Sequence, residues 1–216
     1  TTGKLSTSGT RVYRFALFQD GCLSSPVVTR SYIKRDKSFN IPVVSVVTDP
    51  DHLYDPTIGF LTKGTNGRRG KGTSEYCNWN HDWDRPVNFE MLDPQTGKSL
   101  INMEADMSRC GGHSKGFTPF SFKIKAGKEY EGQNYLDYQF FPDKPYLKHK
   151  ALQFRCGGND YLCRIKDAAL QSIVRTSGID VDLQDYAPVC HYINGEFMGT
   201  IDMREPNSKH NVYANH

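Results

Sequence analysis

The chain has 216 residues, enough for one well-buried core or one core plus a small module. Its 27 Lys and Arg against 24 Asp and Glu leave a net charge of +3 and a pI near 8.4, without the basic stripe of a nucleic-acid surface. No apolar run approaches the ~20 residues of a membrane helix, and the opening TTGKLSTSGT is no signal peptide and reads as a cut inside a longer protein.

The alternating RVYRFALF (11–18), the Asp20–Gly21 turn and VVTRSYI (27–33) predict two strands, too few to close a core. They are read as the end of a β-sandwich module over 1–34, joined by a polar linker over 35–40 to a main domain over 41–216. IPVVSVVTD, from Ile41, has the continuous apolar character of a buried strand. Pro50 to Pro86 reads as a long solvated loop containing the basic GTNGRRGKGTS. In its NWNHDWDRP segment, Trp79 and Trp83 serve either as packing groups or as stacking platforms for a glycan. VNFEML and SLINMEADM flank the turn-forming DPQTGK and predict a hairpin.

RCGGHSKG follows. Gly111 and Gly112 allow backbone N–H groups to approach phosphate oxygens, with Ser114 beside them and Arg109 and Lys115 supplying charge. In the next strand, FSFKIK, Phe120, Phe122 and Ile124 share one face, and Ser121, Lys123 and Lys125 the other. An ordinary turn with a solvated edge strand has the same composition. HKALQFR predicts a further strand. RIKDAALQSIVRTSG is the clearest helix, with a stripe of Ile165, Ala168, Ala169, Ser172 and Ile173 and a stop at Gly178. Asp167 and Gln171 project from one side of it, where the carboxylate either holds a strand lysine or pairs with Arg164 or Lys166 on an ordinary solvated face. PVCHYI and EFMGTIDM flank Asn194–Gly195, the strongest short hairpin signal, and Arg204 and Glu205 stand where the chain leaves the sheet.

The resulting class is α+β, a twisted antiparallel sheet with one main helix across a face. The six cysteines show no paired zinc spacing and suit structural thiols or disulfides, with Cys156 and Cys163 placed to bridge; no metal site is expected. No nucleophile-and-base motif is legible.

TDPDHLYDPTIGF, NWNHDWDRPVNFEMLDP, RCGGHSKGFTPFSFKIKA, LQFRCGGND, DAALQSIV and YINGEFMGTIDMREP, in that order, resemble the CotH kinase family of spore-coat-protein-H-like atypical protein kinases. SSPVVTRSYI resembles the end of a chitobiase/β-hexosaminidase C-terminal-like sandwich, a module found before this family in bacterial surface proteins.

The resemblance implies the small lobe of a protein kinase, ATP and magnesium as cofactors, and phosphoryl transfer to Ser or Thr of a protein. Arg109, Gly111, Gly112, Ser114, Lys123, Lys125, Arg204 and Glu205 would bind the nucleotide phosphates, with Asp167 and Gln171 as helix partners. The catalytic and metal-binding part is expected beyond His216, leaving this stretch itself inactive. Phe120 departs from the family, which keeps a lysine there, and Lys125 is the substitute that alternation offers. The other reading is a non-catalytic surface module that binds protein or glycan. Both imply a bacterial cell surface, extracellular space or periplasm, with a protein partner, no nucleic acid and no membrane span.

Overall fold

The computed structural model describes residues 8–34, 40–71, 74–130, 132–158, 160, 162–210 and 212. The linker expected over 35–40 lies outside them except for Asn40. Strands β1 (Arg11–Phe15), β2 (Phe18–Gln19), β3 (Cys22–Leu23), β4 (Val28–Tyr32) and β5 (Val43–Val47) come first. Helix α1 (Pro50–Tyr54), β6 (Arg68–Arg69), β7 (Tyr76–Cys77), β8 (Asp84–Leu92), β9 (Ser99–Arg109) and β10 (Phe122–Lys125) follow. The chain continues through β11 (Leu136–Asp137), β12 (Lys148–His149), β13 (Ala151–Arg155), α2 (Lys166–Thr176), β14 (Tyr186–Ile193) and β15 (Glu196–Arg204).

Seven strands close into a barrel in the order β10-β13-β15-β14-β5-β8-β9, which corrects the α+β expectation of a twisted sheet covered by one helix and, with it, the protein-kinase small lobe that the resemblance implied. Closure follows from the alternation itself. Each barrel strand sends every second side chain inward, and the inner faces then bury one another without a covering helix. Val44 and Val46, Phe89, Ala105 and Met107, Phe122 and Ile124, Leu152 and Phe154, Val189, Ile201 and Met203 form this interior, all at 3% exposure or less. Phe122 and Phe154 stack with centroids 4.5 Å apart across β10 and β13. All neighbours are antiparallel except β14 and β5, which run parallel.

The two strong turn signals close their hairpins. Asn194 and Gly195 both take positive φ, 50° and 84°, between β14 and β15. Between β8 and β9, Asp93 Oδ1 accepts from the Gln95 and Thr96 amides at 3.0 and 2.6 Å. At the N-terminus, β1 pairs with β4, and β4 is tied to the barrel by Ser31 N donating to Glu90 Oε2 at 2.9 Å.

Residues 50–86 are not a free solvated loop. Leu53, Phe60, Cys77 and Asn78 are buried there, and Asn78 Nδ2 donates to the Pro56 and Gly59 carbonyls. Trp79 and Trp83 are half-buried, and Trp83 lies against the His81 ring at 4.0 Å with the Arg85 guanidinium 4.6 Å from its centroid. The face of α2 also differs from expectation: Ala168 is buried, but Ile165 and Ile173 are 59% and 64% exposed. The helix is docked by an ion pair, described below, and not by its apolar stripe. Cys156 is buried and Cys163 exposed, and both thiols are free, so of the two roles open to them, thiol or bridge, the structure has the thiols. No helix among the described residues is long and apolar enough to cross a membrane.

Candidate functional site

The outer face of one barrel wall is polar because the inward positions take the apolar residues. Cross-strand pairing puts Lys123 opposite Gln153, and Gln153 opposite Arg204, in one row; Arg155 stands opposite Asp202 in the next. Above this wall, the segments that leave β9 and β13 meet. A Cβ built on Gly158 would fall 2.4 Å from Ser114 Cβ, so the two loops touch only because residue 158 has no side chain. Gly111 and Gly157 hold positive φ of 107° and 67°, and a Cβ on Gly112 would meet nothing within 4 Å.

Wall and loops enclose a cavity of about 340 Å³. Gly111, Gly112 and Ser114 line it from one loop, Gly157 and Gly158 from the other. Ser121, Lys123, Gln153 and Arg155 form its floor, and Gln184 and Asn207 complete the lining. Two of these side chains are cationic and none is acidic.

The cations divide sharply in their partners. Arg155 NH1 donates to Asp167 Oδ2 at 2.6 Å, and Arg204, 2% exposed, pairs with the same oxygen. Asp202 adds a weaker contact to Arg204 at 3.6 Å. Burial pushes the Asp167 carboxyl upward, but Arg204 and then Arg155 outweigh it and hold the group below the ordinary carboxylate range. Asp202, buried more deeply, is shifted upward despite Arg204. Gln171 donates to Asp167 and accepts from the Gln184 amide at 2.7 Å, which links α2 to the cavity lining. Lys123, half-buried in the floor, has neither an ion pair nor a side-chain hydrogen bond among the described residues.

Of the residues expected from sequence, Gly111, Gly112, Ser114 and Lys123 come together in this cavity. Arg109 does not: it lies 7% exposed on the Phe120 ring, its NH2 donating to the Lys115 carbonyl, and burial lowers its pKa to about 10. The register explains this, because Arg109 faces Phe122 on the inward side of β9. Lys125 points outward but is paired with Asp84 at 2.5 Å, away from the cavity. Arg204 does not line the cavity; it pairs with Asp167. Glu205 is buried and takes Lys144 at 2.6 Å. Asp167 does engage strand cations, but arginines and not Lys123, and Gln171 bonds to Asp167 and not to a cation. Phe120 is a core residue at 5% exposure, so a lysine there would enter the interior and not the cavity.

Arg155, Gly157, Gly158 and Gln184 were missed by sequence reasoning. The tetrapeptide Arg-Cys-Gly-Gly occurs twice, at 109–112 and 155–158, and that repeat is the signal that pairs the two loops. Among the described residues no three His, Cys, Asp or Glu side chains converge as a metal-holding group. Asp167 and Asp202, on the cavity's side of the sheet, are held by arginines, so these two carboxylates are not placed to hold a magnesium ion. No protein-family model matches the chain. No curated protein matches it either.

Proposed function

We propose that the cavity binds a phosphate-bearing ligand. The observation that carries this is Lys123: a half-buried cation with no ion pair or side-chain hydrogen bond among the described residues, in a cavity whose described lining has no carboxylate and is flanked by two Gly-Gly loops. A phosphate oxygen is the acceptor that such an ammonium lacks, and glycine backbones permit close approach. Arg155 adds a second cation, shared with Asp167. The ordered motifs that resemble the CotH kinases support the same ligand chemistry and name ATP as the candidate, with a protein Ser or Thr as acceptor in the whole protein. The geometry bears on the binding step: Asp167, the acid of α2 beside the cavity, is engaged by two arginines. This favours reading these residues as the binding part of a surface protein.

The test is thermal. A ligand bound only by the folded state stabilises by mass action, ~2.7 kcal/mol at a hundredfold excess over Kd. Millimolar ATP is expected to raise Tm, and Lys123→Gln to abolish the rise while leaving the unliganded Tm within about 2 °C, as a substitution that breaks no contact should. An equal rise in both proteins, or none in either, removes the proposal.

A further inference from the structure

The lining of the cavity also says which part of a ligand it reads. Resting on the phosphate-binding proposal, we infer that the cavity selects a compact polyphosphate moiety and makes no specific contact with a nucleoside. Pockets that hold an organic ring system are lined mainly by apolar and aromatic side chains, with a few polar groups to orient it. Here the proportions are reversed. Among the described residues, the lining consists of four glycines, two serines, a lysine, an arginine, two glutamines and an asparagine, with no aromatic or aliphatic side chain.

Among the described residues, three phenylalanines near the cavity are committed elsewhere. Phe122 and Phe154 stack on each other inside the barrel, beneath the floor. Phe117, which lies 3.5 Å from where a Cβ on Gly158 would stand, packs edge-on against His113. An adenine ring placed in this cavity would leave its faces against amides and water and gain nothing from stacking. A di- or triphosphate chain matches the lining throughout. Its oxygens accept from Lys123, from the Arg155 N–H groups that do not bind Asp167, from the Ser114 and Ser121 hydroxyls, from the Gln153 side-chain amide and from the Gln184 N–H not donated to the Glu205 carbonyl. The same lining argues against a neutral sugar, which needs an aromatic platform more than a cation.

Calorimetric titration of the protein with sodium triphosphate, ATP and adenosine, at one fixed ionic strength, tests this. Triphosphate and ATP are expected to bind with Kd values within about threefold of each other, since a real base contact would separate them by about tenfold or more. Adenosine is expected to give no heat. Lys123→Gln is expected to abolish the binding heat of triphosphate and ATP alike. Binding of ATP without triphosphate, or binding of adenosine, overturns the inference while leaving a phosphate-bearing ligand in place. Failure of both triphosphate and ATP overturns the binding proposal itself.

Discussion

His191 makes the stability of the barrel dependent on pH in a way that can be worked from its surroundings. It is wholly buried in β14, its Nδ1 is 3.0 Å from the Gly199 carbonyl, and its ring lies 6.0 Å from that of Phe122. Nε2 has no hydrogen-bond partner among the described residues, so a second proton there would place an unpaired charge in the interior. Burial accordingly lowers its pKa from 6.5 to about 4, against a small opposing effect of the Gly199 carbonyl. Below pH 6.5 the unfolded chain takes up a proton that the folded chain refuses until about pH 4. Stability is therefore full above pH 6.5 and falls as pH drops between those two values. At ~1.4 kcal/mol per tenfold in proton affinity the loss approaches about 3 kcal/mol, or roughly 6–12 °C in Tm for a chain of this size. Tm should be measured from pH 7 to pH 4 for the parent and for His191→Gln, which keeps a donor for Gly199. The buried carboxyls Asp106 and Asp202, shifted upward by burial, titrate in both proteins and cancel in the difference. The parent is expected to lose the extra 6–12 °C. Superimposed pH profiles would refute a buried neutral imidazole at this position.

Two further substitutions probe the site. Asp167→Asn leaves Arg204, 2% exposed, with only the 3.6 Å contact to Asp202. Breaking a fully buried pair costs about 3–5 kcal/mol; with Asp167 51% exposed, about 1–3 kcal/mol is expected, read as a lower Tm at neutral pH. The same change releases Arg155, so triphosphate should bind more tightly; weaker binding would show that the ion pair organises the cavity and does not compete with its ligand. Gly158→Ala drives a methyl to within 2.4 Å of Ser114 Cβ, and separating the loops should cost about 1–3 kcal/mol and weaken triphosphate binding together. Unchanged binding in that variant would detach the second loop from the site.

Local structure was legible in the sequence where one short-range signal decides it. Asn194–Gly195 and DPQTGK specify their turns through positive φ and Asx hydrogen bonds, and FSFKIK divides into an inward and an outward face by alternation alone. Closure was not legible, because it depends on β9 pairing with β8 and β10 at once, and β14 with β5 in parallel across well over a hundred residues. The same limit applies to α2. Its apolar stripe is real, but Asp167 binds two arginines from strands β13 and β15, and that pair decides which face meets the barrel. Half of the cavity was visible as RCGGHSKG and Lys123. The other half needed the recognition that 155–158 repeats 109–112, and that one copy turns its arginine inward onto Phe120 while the other turns it outward into the cavity.

The central claim is that two Gly-Gly loops and Lys123 form one anion site, and amide resonances report on it most directly. Pyrophosphate should be titrated into isotopically labelled protein at constant ionic strength. The amides of Gly111, Gly112, Gly157 and Gly158, together with Lys123, are expected to move along one common saturating curve, while Gly97 in the distant β8–β9 turn stays fixed. Shifts scattered over surface lysines and arginines without saturation, with the four glycines unmoved, would contradict the account.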